Sequence, residues 1–230
     1  MIVSHKHKFI FIKTTKTAGT SVEIALSKFC GPDDIIPPIS PEDEEKRQAL
    51  GFPGPQHYLA PFSDYQLSDY RRFLFRGKRK KQFYNHMPAS EIMQCIEPDI
   101  WNRYYKFCFE RNPWDRFISS YYWRCKSGFR PAVKEFIAAG ALPRLRRGGA
   151  GLYRVDDQVV VDDVYRFENL AEELQIICAR LGISGQIELP RTKAKTRKDK
   201  RSYRDILDAE ESNCIAESLS DVVELMDYKF

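Results

Sequence analysis

The segment Lys13-Thr14-Thr15-Lys16-Thr17-Ala18-Gly19-Thr20-Ser21 carries the parts an oxyanion needs. Gly19 permits close backbone approach, the free amides of a following helix start point at the anion, and hydroxyls donate to its oxygens. Lys16 adds a positive charge that can stand beside a leaving oxygen as charge develops there. The glycine, four-residue spacer and glycine-lysine-serine/threonine order of a Walker motif are absent, which counts against an ordinary ATPase or GTPase. Taken alone, the segment also reads as a polar strand-to-helix turn with a solvent lysine.

A second junction has the same character. Arg111 ends a strand-like run, and Arg116 and Ser119 follow three residues apart near one side of a helix start. Arginine grips a phosphate with a fork of donors and serine adds one more. The plain alternative has Arg111 capping local carbonyls and Ser119 facing the core. Two such junctions in one chain favour a polyanionic small ligand. His86 is the best general base, because an unperturbed imidazole titrates near neutrality. Pro88 keeps Met87 out of helical geometry, so the turn can hold the ring at the edge of a crevice; a satisfied structural histidine is the alternative. His57 is a backup base, an acceptor contact or an ordinary loop residue. Glu110 can serve in acid-base work or pair with its neighbour Arg111. Glu168 can position a cation and Asn169 can cap a helix. His5 and His7 read as a solvated lead-in. Histidines are few and no carboxylate pair stands out, so no metal is expected.

The elements that must position these groups follow from periodicity. Residues 9–12 form a short apolar strand, and Val22, Ala25, Leu26 and Phe29 mark one face of a helix that Gly31-Pro32 ends. A short helix over 89–96 stops at Pro98. Residues 104–109 are strand-like with Lys106 interrupting, and Asn112 caps a helix with Pro113 in its first turn and Phe117, Ile118 and Tyr121 inward. Residues 159–161 are a further strand candidate. Leu170, Leu174, Ile177 and Leu181 stripe one helix, and Ile215, Leu219, Val222 and Met226 one C-terminal amphipathic helix. Strand and helix units alternate, which predicts an α/β fold with a mainly parallel central sheet and ligands beyond the strands' C-terminal ends.

The 230 residues are read as a single domain, with a loop-rich insertion around 32–85. Six scattered cysteines without a CxxC pair read as buried thiols. The net charge of +5 is concentrated: residues 71–81 carry seven cationic side chains, and residues 191–204 carry eight against the single acidic Asp199. The first run, with Phe73, Phe75, Phe83 and Tyr84 nearby, fits three readings: recruitment of a carboxylated or sulfated saccharide, contact with anionic membrane lipid, or a solvated insertion. Nothing resembles a transmembrane span or a secretory signal, so the chain is expected in the cytoplasm if Met1 is its natural start.

The motifs also carry a resemblance. Residues 16–21 resemble the 5′-phosphosulfate loop of the sulfotransferase superfamily, and residues 111–121 resemble its 3′-phosphate element. The closer likeness is to carbohydrate sulfotransferases related to heparan sulfate 2-O- and chondroitin sulfotransferases and their bacterial relatives. It rests on residues 86–92, on Arg166-Phe167-Glu168-Asn169-Leu170 and on the ending Asp227-Tyr228-Lys229-Phe230. Such proteins commonly have proline just before the loop lysine, where this chain has Thr15.

The resemblance implies a P-loop-like three-layer fold and transfer of a sulfuryl group from 3′-phosphoadenosine 5′-phosphosulfate to a hydroxyl. It implies that Lys16, Thr17, Ala18, Gly19, Thr20 and Ser21 hold the 5′-phosphosulfate, with Arg111 and Ser119 on the 3′-phosphate. The basic segment 191–204 would cover the nucleotide, with Arg197 and Lys198 as contacts, unless it is simply a solvated loop. His86 and Lys16 are the implied catalytic pair. A saccharide, glycan or other hydroxylated acceptor is implied, with His57, Arg79 and Lys80 as candidate contacts. Competing readings are a nucleotide-dependent phosphotransferase and a basic nucleic-acid-binding module. The paired nucleotide motifs favour a small ligand, so no nucleic acid partner is expected.

Overall fold

Two apolar faces on one short sheet organise the chain. A computed structural model describes residues 1–125, 130–185, 187–190, 199 and 201–230. In chain order the elements are β1 (Ile2–Ser4), β2 (Phe9–Ile12), α1 (Gly19–Ser27), α2 (Pro41–Ala49), α3 (Leu67–Arg76), α4 (Ala89–Cys95), α5 (Pro98–Arg103) and β3 (Tyr105–Glu110). Then come α6 (Pro113–Arg124), α7 (Val133–Ala138), α8 (Ala141–Arg147), α9 (Ala150–Tyr153), β4 (Arg154–Val155), β5 (Gln158–Val159), β6 (Asp163–Arg166), α10 (Leu170–Arg180), α11 (Ala209–Ser218) and α12 (Ser220–Leu225).

The main sheet has the order β1-β2-β3-β6, with β2, β3 and β6 parallel and β1 antiparallel at the edge. Strand alternation sorts the side chains onto two faces. Phe9, Phe11, Phe107 and Phe109 pack on one face against Val22 and Leu26 of α1 and Leu174 and Ile177 of α10. Ile10, Ile12 and Cys108 face the other way, toward Phe117 and Ile118 of α6 and Ile215 of α11. The result is a three-layer α/β fold with a mainly parallel sheet flanked by helices. The four phenylalanines form an edge-and-tilt cluster around Phe107, with centroids 5.5–6.3 Å apart. Each such ring contributes about 2–3 kcal/mol of burial.

Register places the site. Ile12 pairs with Cys108, so the loops leaving β2 and β3 emerge side by side at the C-terminal edge of the sheet. α1 then covers one face and α6 the other.

Several expectations are corrected. Ahead of the lead-in read at His5 and His7, Ile2–Ser4 form the buried edge strand β1, which was not anticipated; three apolar residues at most gave no periodicity to detect. Residues 158–159 pair with β4 in a separate hairpin, and the sheet strand is the polar Asp163–Arg166, whose backbone is recruited by β3. Pro98 opens α5 instead of only closing the preceding helix. The C-terminal stripe is split at Leu219, whose φ of −124° leaves the helical region between α11 and α12. Lys106 stays in β3 because its ammonium donates to the Trp101 and Tyr104 carbonyls and pairs with Asp162. The six cysteines are free; Cys30, Cys108 and Cys178 are buried, but Cys214 is exposed. Among the described residues no helix is long and apolar enough to cross a membrane.

Candidate active site

The β2–α1 loop is built from its own hydroxyls. Thr14 Oγ1 donates to the Phe109 carbonyl, Thr17 Oγ1 lies 2.9 Å from it, and Thr17 also donates to the Thr14 carbonyl at 3.1 Å. Lys16 and Ala18 both take positive φ, 67° and 53°, a strained path for non-glycine residues that tertiary contacts must hold. Ala18 occupies the cap position of α1 without a side-chain cap, so the first amides of the helix face the cavity beyond the loop. Gly19 is required from below: a Cβ there would stand 2.7 Å from Cγ of Lys13. Lys13 itself is buried and pairs with the buried Glu23 at 2.8 Å.

Two arginines lock this loop to the next junction. Arg111 donates to the Lys16 carbonyl at 2.9 Å, is held by Asp115 at 2.6 and 2.8 Å, and stacks 4.3 Å above Phe167. Three of the five N–H groups of a guanidinium are used in these bonds, which leaves donors for an anion. Arg116 is fully buried. It pairs with Glu110 at 2.7 Å and donates to the Thr15 carbonyl (3.0 Å), the Thr15 hydroxyl (3.2 Å) and the Leu145 carbonyl (3.1 Å). Gly148 and Gly149 make room for it: a Cβ on Gly149 would lie 1.9 Å from the guanidinium. Glu110 thus pairs with Arg116 and not with Arg111, and Tyr153 donates a further bond to it at 3.1 Å. Glu168 accepts from the Asn112 amide (2.8 Å) and the Tyr228 hydroxyl (2.8 Å) instead of a cation. Asn169 stands at the start of α10 without a side-chain cap bond, whereas Asn112 caps α6 through the Asp115 amide at 3.2 Å.

His86 enters from the turn before α4. It takes φ 59°, and its Nδ1–H donates to the Lys13 carbonyl at 2.8 Å. That bond fixes the tautomer, because a carbonyl only accepts, and leaves Nε2 with its lone pair. Burial, then the nearby Lys13 charge, lowers the ring from the usual 6.5 to about 4. The ring is therefore neutral through the physiological range, not poised near neutrality as its residue type suggested.

These groups meet in one cavity of about 580 Å³. Lys16, Ala18, Gly19 and Thr20 from the first junction, Arg111 and Ser119 from the second, and His86 all line it. Thr17 and Ser21 are buried beside the wall and do not line it. His57, Arg79 and Lys80 lie elsewhere: His57 donates to the Pro32 carbonyl at 2.9 Å, Arg79 stacks on Phe62, and Lys80 pairs with Asp69 at 3.3 Å. Arg197 and Lys198 fall outside the described residues. The cavity also takes in Trp123, Arg124 and Arg144, which motif reading passed over. Trp123 sits under the Lys16 ammonium at 5.2 Å. Arg124 follows Ser120 by one helical turn and was findable on that spacing; Arg144 reaches the site only because α8 packs on α6 and α9. Among the described lining residues five are cationic (Lys13, Lys16, Arg111, Arg124 and Arg144) and none is acidic. No group of three or more candidate metal ligands occurs among the described residues.

A family model described as "Sulfotransferase family" matches residues 1–147, which include both junctions and His86. An uncharacterized protein of Archaeoglobus fulgidus is 27% identical over 110 residues, 45% of this chain and 88% of the relative. A crystal structure of a sulfotransferase from Alicyclobacillus acidocaldarius covers 96% of each chain at 20% identity, with a TM-score of 0.41.

Proposed function

This chain belongs to the sulfotransferase family, and on that premise we propose that it moves a sulfuryl group from 3′-phosphoadenosine 5′-phosphosulfate to a hydroxyl of a saccharide or glycan. The observation that carries the reading is the joining of both anion-receptive junctions and His86 in one cavity whose described lining is cationic without a carboxylate. That charge balance suits a ligand with two separated phosphate-type groups. The saccharide acceptor rests on the likeness of residues 86–92 and 227–230 to carbohydrate sulfotransferases.

The donor supplies a sulfuryl group on a phosphate anhydride. Arg111, preset by Asp115 and Phe167, and Ser119 bind the 3′-phosphate. Lys16 and the first amides of α1 hold the 5′ end. His86 Nε2 takes the acceptor's proton as the acceptor oxygen forms its bond to sulfur and the sulfur–oxygen bond to the nucleotide phosphate breaks. Lys16 then stands against the negative charge left on that phosphate. Burial first and then the Lys13 charge depress His86, and a bound anion offsets the second of these and so strengthens the base.

Calorimetric titration tests the reading. The native protein should bind 3′-phosphoadenosine 5′-phosphate at least about tenfold more tightly than adenosine 5′-phosphate, and Arg111→Gln should erase most of that preference. Equal affinity of the native protein for the two nucleotides refutes the assignment.

A further inference from the structure

Helix α3 inverts the usual logic of a surface helix. It buries no residue, although its sequence is strongly amphipathic. Leu67 and Leu74 share a face two turns apart and are 78% and 75% exposed; Phe75, beside them, is 80% exposed. Tyr70 and Phe73, on the flank beside this ridge, contact Tyr65 and Phe62 at 5.3 and 5.5 Å, and this aromatic knot ties the helix to the segment that precedes it. The helix is closed at both ends, by a Gln66–Asp69 capping box and by Gly77 at φ 62°. It is therefore formed before anything docks on it. Five of the eleven exposed large apolar residues of the described chain (Phe62, Leu67, Tyr70, Leu74 and Phe75) lie in this one stretch.

Positive charge accompanies the apolar ridge on the same helix and on the turn after it. Arg71, Arg72, Arg76, Lys78 and Lys81 are exposed and form no salt bridge among the described residues, whereas Lys80 is engaged by Asp69. Exposed Leu and Phe side chains framed by lysine and arginine match the two components of an anionic bilayer surface, acyl chain and phosphate. A soluble polyanion would use the cations and leave Leu67, Leu74 and Phe75 in water. A second copy of the chain would oppose like charges across the contact.

We propose that α3 and the basic turn after it are a peripheral docking surface for anionic lipid membranes, with Leu67, Leu74 and Phe75 entering the headgroup–acyl boundary. The surface lies outside the candidate active site, so the proposal stands independently of the donor assignment.

Flotation of the full chain with phosphatidylcholine vesicles, with and without phosphatidylserine, tests it. Binding is expected only with phosphatidylserine present, and it should weaken as salt rises. The Leu67→Ser/Leu74→Ser/Phe75→Ser variant keeps every charge and should lose at least about tenfold in vesicle affinity. Arg72→Glu/Arg76→Glu should lose more than about fivefold for each reversed charge. All five side chains are exposed, and circular dichroism should show native folding in both variants. Absence of native binding to phosphatidylserine vesicles overturns the proposal. So does undiminished binding by the serine variant, which would assign the patch to a soluble polyanion such as a sulfated polysaccharide. A native dimer in sedimentation that the serine variant abolishes, without vesicle binding, would assign the face to a second copy and overturn it equally.

Discussion

Gly149→Ala tests whether the loop of the candidate site is held from behind by Arg116. The backbone at Gly149 has φ −125° and ψ −106°, and the steric cost of a Cβ at this position is the effect the variant probes. The new Cβ would lie 1.9, 2.3 and 2.4 Å from three atoms of the guanidinium. An exposed arginine would swing aside cheaply, but Arg116 is 1% exposed and fixed by Glu110, both oxygens of Thr15 and the Leu145 carbonyl. Displacing it breaks a buried ion pair and strands Glu110, which costs about 3–5 kcal/mol. Against a typical domain stability of about 5–15 kcal/mol this is a large fraction, and it lowers Tm by roughly 6–20 °C for a chain of this size. Gly54→Ala is the matched control, since a Cβ there meets no atom within 4 Å and should change stability by less than about 0.5 kcal/mol. Urea denaturation of the two variants beside the native chain gives the comparison directly. If Gly149→Ala unfolds within about 0.5 kcal/mol of Gly54→Ala, the guanidinium has room to move and the bracing argument fails. Nucleotide titration adds a second readout, because freeing Thr15 should weaken binding even where the variant remains folded.

His86→Asn preserves the tolerance for positive φ and a donor toward the Lys13 carbonyl, so it should fold while sulfuryl transfer falls about 10²- to 10⁴-fold; near-native single-turnover transfer removes His86 from the mechanism. The imidazole resonance missing from that variant should titrate near pH 4 in the native protein, and titration near 6.5 contradicts the burial argument. Because the folded pKa lies below the unfolded one, the unfolded chain takes up the proton first as pH falls. The contribution of His86 to stability is complete above 6.5 and is lost, by about 2–3 kcal/mol, on the way down to pH 4, which denaturation of native and His86→Asn proteins across that window measures. Lys16→Asn, also tolerant of the local φ of 67°, should cut transfer about 10²-fold or more while changing affinity for the desulfated nucleotide less than tenfold; the reverse pattern would make Lys16 a binding residue only.

Local chemistry was legible in the sequence where the chain speaks to its near neighbours. The strand of residues 9–12, the loop lysine, the helix start at Gly19 and the Asn112-Pro113 cap all depend on contacts within a few residues, and the structure has them there. Lys16, Arg111, Ser119 and His86 could be picked out by residue type, but their meeting in one cavity depends on the parallel register of Ile12 with Cys108 and on the Lys13–His86 bond. Those are contacts between residues 73 to 96 positions apart, which no local pattern encodes. From the sequence Glu110 could serve in acid-base work or pair with its neighbour Arg111, whereas strand and helix directions carry its carboxylate to Arg116. The polar strand β6 and the edge strand β1 were invisible for a related reason: their backbones are ordered by the neighbouring strand, not by their own side-chain alternation. Arg144 and the Gly148-Gly149 hollow became part of the site only when α8 packed across α6, because a cavity wall is a property of packed surfaces and not of the segments that supply it.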